Sequence, residues 1–439
     1  MKQIALFRFK ERSSVASKDF ISLPFERIRD EGFDFRDIPA STGIYGIHPY
    51  PAMFHFLVVR RLISEFSKEN ENILDPFMGS GVVAGECLVN GRNFVGYDIN
   101  PLALLISKVR TTPISSGALL EALEYVSLDF KHRDPEDVDF PNIHYWFDSK
   151  IIEDLSRLRG AIFSIKEEEI RNFYKVVFLE TVRRVSRTRY NEFKLLRKKD
   201  IVHSPQVLKT FREISLKNIG LLVDFYKKLP PTKATLVLEE REVIKGIPLK
   251  DNSIDLVVTS PPYGDSRTTV AYGQFSRLSL RWLGLEETVD RTSLGAKPKN
   301  VSNSLPSPLL YECIEKISEK DDKRGREVFS FYKDLYDSIR VIAKKVKPGG
   351  VVCFVVGNRR VKVLSCRRIK SRQIFLRRRV SYIKRLLLEQ YRVKGCRLKM
   401  LPLISKERKT LLCDMSILWY SKRGVLKSAL SPKISMKCF

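Results

Sequence analysis

Two kinds of apolar pattern alternate along this chain of 439 residues. Short continuous runs read as strands buried on both faces: Ile73-Leu74 after Asn72, Phe94-Val95 with Tyr97, Ile254 to Val258, and Val351 to Val356. Between the second and third lies a long segment of helical spacing, from about Ile143 to Tyr226. Ile151, Ile152, Leu155 and Leu158 make one stripe, and Phe173, Val176, Val177 and Leu179 to Val182 another. A helix is predicted from about Glu327 to Lys345, leading through Lys347-Pro348-Gly349-Gly350 into the last run, whereas residues 285 to 326, with Pro298, Pro306 and Pro308, read as irregular. Buried strands alternating with helices predict an α/β fold with a mostly parallel sheet, interrupted by a helical insertion.

The first strand runs into Asp75-Pro76-Phe77-Met78-Gly79-Ser80-Gly81, a helix begins at Val82, and the next strand ends at Asp98. Strand, glycine turn, helix, strand and acid form the first half of a doubly wound nucleotide-binding sheet. The glycines let the backbone approach the ligand, and the acid takes ribose hydroxyls. A dinucleotide dehydrogenase shares that outline. Asp75 argues against it, because a carboxylate at the strand tip suits an ammonium better than a pyrophosphate, which prefers bare N–H groups.

The third strand runs into Thr259-Ser260-Pro261-Pro262-Tyr263. This turn suits methylation of an exocyclic amino group, whose lone pair is delocalised into the ring. Such a nitrogen must have both N–H bonds held while it is drawn toward tetrahedral geometry. Ser260 and the Pro261 carbonyl offer two acceptors, Pro261 and Pro262 stiffen the turn, and Tyr263 offers a flat face to a base taken out of its stack.

With these motifs in this order, the chain resembles the site-specific DNA amino-methyltransferases over residues 40 to 362. These make N4-methylcytosine or N6-methyladenine from S-adenosylmethionine. The resemblance implies a Rossmann-like methyltransferase sheet, with Asp75, Pro76, Phe77, Gly79 and Gly81 at the methionine end of the cofactor and Asp98 at its ribose. It assigns Ser260, Pro261, Pro262 and Tyr263 to the target base. His48-Pro49-Tyr50-Pro51-Ala52-Met53-Phe54 resembles a family helix whose start, at His48, borders the cofactor; an ordinary proline-capped helix fits it equally. Ser at the first position of the base-gripping turn is found mostly in cytosine-N4 enzymes, where adenine enzymes carry Asp or Asn. The implied partners are double-stranded DNA and a restriction endonuclease acting on the same site.

Composition adds limits. No apolar run reaches membrane-spanning length and the N-terminus has no signal-peptide core, which predicts a cytoplasmic protein. The seven cysteines have no paired spacing, so neither disulfides nor a zinc site is expected. Arg184, Arg187, Arg189, Lys194 and Arg197 cluster around Tyr190 and Phe193, and Arg267 lies in the polar, glycine-punctuated stretch Gly264 to Arg277, which reads as a loop over the base pocket. A solvated helix face is the ordinary reading of such a run; cations interleaved with aromatics inside a methyltransferase also suit phosphate contact and target recognition. The chain then divides into 1–110, with the cofactor half of the core, a helical insertion over 111–234, a catalytic half over 235–362, and a basic tail over 363–439.

The net charge of +28 is concentrated in that tail, which holds 21 Lys or Arg against 3 Asp or Glu. The family pattern runs as far as Gly357-Asn358-Arg359-Arg360-Val361-Lys362 and then stops. Shifting each codon back by one base restores it. Tyr391 to Met400 can be encoded so that the shifted frame spells Ile-Pro-Ser-Lys-Arg-Met-Pro-Leu-Lys-Asn, and Trp419-Tyr420 must yield Val. The tail therefore reads as translated out of frame, with the final two strands of the sheet lost and the protein impaired, a DNA-binding remnant being the extreme case. A natural basic tail is the alternative. Sequencing the gene decides: restoring one base near codon 362 should open a frame carrying the Ile-Pro-Ser-Lys-Arg-Met-Pro text, and its absence refutes the idea.

Overall fold

The computed structural model describes residues 5–6, 28–190, 192–198, 206–264, 270–287, 289–357, 397–402 and 415–421. A short antiparallel pair joins Ala5–Leu6 to Ile28–Arg29. The main sheet has seven strands: β1 (Asn72–Asp75), β2 (Asn93–Asp98), β3 (Leu236–Glu240), β4 (Ile254–Thr259), β5 (Val346–Gly357), β6 (Arg397–Pro402) and β7 (Met415–Ser421). Their order is β3-β2-β1-β4-β5-β7-β6. The first five run parallel, and β7 lies antiparallel to both β5 and β6.

The apolar runs explain the centre of this sheet. Ile73, Leu74, Leu256, Val257 and Val258 are completely buried, as strands covered by helices on both faces must be. The chain steps outward from β1 to β2 to β3, then returns to the other side of β1 as β4. That reversal is a topological switch point, where open α/β sheets form a crevice beyond the carboxyl ends of their strands.

Helices α1 (Phe56–Phe66), α2 (Val82–Asn90) and α3 (Pro101–Thr111) flank the cofactor half. Asn100 caps α3 by accepting from the Leu102 N–H at 3.1 Å, and Pro101 begins its first turn. The insertion supplies α4 (Ser116–His132), α5 (Ser149–Phe163), α6 (Glu168–Val185) and α7 (Val207–Lys227). It is packed onto the core: α6 lies against α3 and against α8 (Tyr272–Trp282), the helix that follows the Ser-Pro-Pro-Tyr turn. Trp282 is fully buried and meets Phe140, Phe147 and Phe178 edge-on. Helices α9 (Pro308–Ser318) and α10 (Asp322–Lys345) precede β5.

Four expectations are corrected. Residues 48 to 54 form no helix, only a bend at His48 and a turn at Pro51-Ala52, and α1 starts only at Phe56, where the His55 ring accepts from the Leu57 N–H. Pro49 and Pro51 sit where the chain approaches the helix, and both lack the N–H that would propagate one. The region 285–326 contains α9, whose start at Pro308 is capped by the Ser307 hydroxyl, so this proline opens a helix. Helix α10 begins at Asp322, capped by Asp321, one turn before Glu327. Finally, β5 is not left beside an open edge: Val351↔Ser421 to Gly357↔Met415 pair it with β7, and β6 closes on β7. The tail as written keeps enough apolar alternation over 415–421 to form a strand.

Glycine is required at the turn between β1 and α2. Gly81 has φ of 74°, and a Cβ there would lie 2.7 Å from the Ser107 Cβ. Gly81→Ala should cost roughly 1–2 kcal/mol from the left-handed backbone alone, and more from the clash. Gly43→Ala, at φ of 61° with nothing within 4 Å, isolates the backbone part. Urea midpoints should order the variants wild type, Gly43→Ala, Gly81→Ala; equal midpoints for the two alanines would dismiss the role of Ser107.

Candidate active site

The two motifs meet because β1 and β4 are neighbours running the same way. Asp75 ends β1, and its Oδ1 accepts the Thr259 hydroxyl at 2.6 Å and the Phe77 N–H at 3.1 Å. Oδ2 has no partner among the described residues, and no cation faces it. Burial raises the pKa of Asp75 to about 7, with the nearby charge of Asp98 adding to the rise. Asp98, at the end of β2, accepts the Gly79 N–H on Oδ2 and the Asn100 N–H on Oδ1, each at 2.8 Å. Burial raises it to about 6, against the pull of those hydrogen bonds.

A cavity lies between these acids and the Ser-Pro-Pro-Tyr turn, walled by residues 75–80, 98–100, Ser260, Pro262 and Gly264. The sequence reading puts two further segments here, 48–54 through its start at His48 and 264–277 as a loop over the base pocket; the second is helix α8 from Tyr272 onward. Residues 50–54 supply Tyr50, Met53 and Phe54; residues 241–244 follow β3; Tyr272 opens α8; and residues 292–294 close one side. A strand-end rule applied to β3 would have found residues 241–244. The others come from segments whose periodicity is broken.

Two further groups hold the walls from behind. Asn100 donates from Nδ2 to the Ser276 Oγ at 2.8 Å and to the Tyr50 hydroxyl at 3.3 Å, joining the Asp98 turn to α8. Arg110 is fully buried without a carboxylate partner. It donates to the Ser80 carbonyl and lies over the Tyr45 ring at 5.1 Å, which fixes the glycine turn.

Asp75, Pro76, Phe77, Gly79 and Asp98 thus share one cavity wall, whereas Gly81 lies outside the lining as the N-cap of α2. His48 also lies outside it. The ring is fully buried against Phe275, its Nδ1–H donates to the Pro49 carbonyl, and burial lowers its pKa to about 4, leaving it neutral. Ser260 and Pro262 face the cavity; Pro261 is buried. The hydroxyls of Ser260 and Tyr263 are bonded to each other at 2.8 Å.

Comparison with known proteins agrees with this geometry. Residues 10–108 match a family model described as DNA methylase. The chain is 36% identical over 351 residues to the type II methyltransferase M.MvaI of Kocuria varians, covering 72% of this chain and 77% of that protein. It is 24% identical over 323 residues to the type II methyltransferase M.BsoBI of Geobacillus stearothermophilus, covering 61% of this chain and 60% of that one. The chain belongs to the DNA amino-methyltransferases.

The cofactor of such a methyltransferase is S-adenosylmethionine, and the cavity suits it. A buried carboxylate with one oxygen unmatched and no cation beside it fits the ammonium of an amino-acid moiety. No helix among the described residues is long and apolar enough to cross a membrane. The cations expected to contact DNA are not equivalent. Arg184 pairs with Glu180 at 3.1 Å, Arg187 pairs with Asp148, and Arg197 lies over the Tyr145 ring at 4.5 Å. Arg189 and Lys194 are exposed. Arg267 lies outside the described residues.

With Asp75 holding the cofactor's ammonium, its raised pKa should make cofactor binding pH-dependent. An ammonium prefers the carboxylate, so affinity should fall as pH drops through about 7, approaching tenfold per unit below it. Titration calorimetry with S-adenosylmethionine between pH 8 and 6 should show the fall. Asp75→Asn should bind more weakly at pH 8 and lose the slope; an unchanged slope would remove Asp75 from the ammonium site.

Proposed function

We propose that this methyltransferase modifies the N4 amino group of cytosine in double-stranded DNA, as the modification partner of a restriction endonuclease with the same site. In this reading residues 1–110 and 235–362 form the two halves of the core, and 111–234 the insertion that meets DNA. The observation that carries it is Ser260: a neutral hydroxyl on the cavity wall, at the end of the strand whose Thr259 holds Asp75.

S-adenosylmethionine supplies an electrophilic methyl group. The chain supplies position. Asp75, with Oδ1 already committed to Thr259 and Phe77, presents Oδ2 to the ammonium, and Asp98 takes the ribose hydroxyls. The Ser260 hydroxyl and the Pro261 carbonyl accept the two amino hydrogens of the flipped cytosine, turning the nitrogen lone pair toward the methyl. Tyr263 gives up its bond to Ser260 and lies under the base. The neutral Ser260 agrees with a cytosine substrate, following the usage of the family.

The out-of-frame reading of residues 363 onward stays a proposal, supported by the break in the family pattern after Lys362, the charge of the tail and codon arithmetic. Pairing of β7 with β5 removes the unpaired edge that was its physical argument for an impaired enzyme.

Ser260→Ala should lower turnover by roughly tenfold, the worth of one hydrogen bond at about 1.4 kcal/mol, with the dissociation constant for S-adenosylmethionine nearly unchanged. Mass analysis of nucleosides from treated plasmid should show N4-methylcytosine. N6-methyladenine would move the assignment to adenine, and full turnover in Ser260→Ala would remove Ser260 from the base site.

A further inference from the structure

Between α6 and α7 the chain makes a small antiparallel loop. The Arg189 N–H donates to the Leu196 carbonyl and the Lys198 N–H to the Arg187 carbonyl, each at 2.8 Å, with Thr188 bridged to Arg197. Its tip exposes Phe193, whose ring is 44% accessible, and Leu196, at 39%. Large apolar side chains held at the surface together are normally covered by something in use.

The surrounding charge says what covers these. On the neighbouring α8, Arg277 is bonded to Glu287 and Asp290, and Arg281 to Glu287, so those cations are already matched. Arg184 and Arg187 are matched as well. Arg189, Lys194 and Lys198 are exposed and have no acidic partner among the described residues, against a single exposed acid, Glu192. Aromatic surface ringed by unmatched cations fits a polyanion with stacked bases.

Position narrows this to the duplex at the target itself. The Leu195 N–H donates to the Gln274 side chain at 3.3 Å, tying the loop to the helix that follows the base-gripping turn. The Phe193 ring meets Phe275 at 5.9 Å, and Phe275 meets Tyr50, a wall of the cavity, at 6.1 Å. Two ring contacts therefore separate an exposed phenyl group from the place where a flipped base must sit.

We infer that Phe193 is the wedge that enters the base stack as the target nucleotide leaves it, with Arg189, Lys194 and Lys198 gripping the flanking phosphates. The inference rests on the DNA-methylating reading above. A base leaving the duplex loses its stacking and pairing, and an aromatic ring placed in the gap restores part of the stack. Phe193 is held by one edge contact and one backbone bond of its neighbour, which leaves its outer face available for that purpose.

The test uses the full chain with S-adenosylmethionine. The modified site is mapped by sequencing methylated plasmid, then placed in two short duplexes, one with the target base paired and one with it mispaired. Phe193→Ala should lower single-turnover methylation of the paired duplex by about tenfold, the worth of one stacked ring. On the mispaired duplex, where opening is already cheap, the loss should shrink to about twofold. Phe193→Trp should keep activity, and its indole emission should change on the paired duplex relative to wild type. Lys194→Ala should weaken both duplexes alike and flatten the salt dependence. Equal losses on the two duplexes for Phe193→Ala, no loss at all, or a silent Phe193→Trp overturns the wedge while leaving methylation intact. A wild-type chain that modifies no plasmid sequence, either as written or with one base restored near codon 362, takes down the methylating reading, and the wedge with it.

Discussion

The hydrogen bond from the Thr259 hydroxyl to Asp75 joins two motifs that stand 184 positions apart in the chain. It can form only because β1 and β4 are adjacent and parallel, so that both motifs leave the sheet at the same edge. It is short, at 2.6 Å, and lies buried in a medium of low dielectric. From it follow the separation between the Asp75 turn and the Ser-Pro-Pro-Tyr turn across the cavity, and the direction in which Asp75 presents its remaining oxygen.

The acids along the crevice stand in an environment that disfavours their charge. Asp75 and Asp98 have raised pKa values and no cation beside them, and Arg110 is a buried cation without an anion. Uncompensated groups of this kind cost stability, and the dry centre of the sheet, where Ile73, Leu74 and Leu256 to Val258 exclude water, offsets that cost. The result is a site built in advance for a cationic ligand. Asn100 extends the same economy to the far wall, since one amide holds both Tyr50 and α8.

The parallel strands, the glycine turn and the order of motifs were legible in the sequence because each is a local pattern: apolar runs, positive-φ glycines, prolines after a strand. So was the helical insertion. A proline-flanked histidine before an apolar helix reads the same whether it caps, binds or is buried, and His48 is buried beneath Phe275. Asn100 and Arg110 were not legible, since each acts through contacts 30 to 176 residues away. The prolines at 306 and 308 suggested disorder of pattern where Ser307 in fact caps a helix. The strands at 397–402 and 415–421 were discounted because the family pattern stops after Lys362 and the tail reads as out of frame, yet the residues as written still pair, β7 with β5 and β6 with β7.

Placing β4 beside β1 also sets a schedule for synthesis. The ribosome finishes β1, β2 and the whole helical insertion before the strand that completes the centre of the sheet exists. At about 5–20 residues per second, the 184 positions between Asp75 and Thr259 take on the order of ten seconds or more to emerge. Throughout that interval Ile73 and Leu74 have one open flank, in a chain still lacking its other core strands. A nascent methyltransferase of this layout is therefore a natural client for chaperones that shield apolar strand edges, and its yield should depend on translation speed through the insertion more than on the stability of the finished fold.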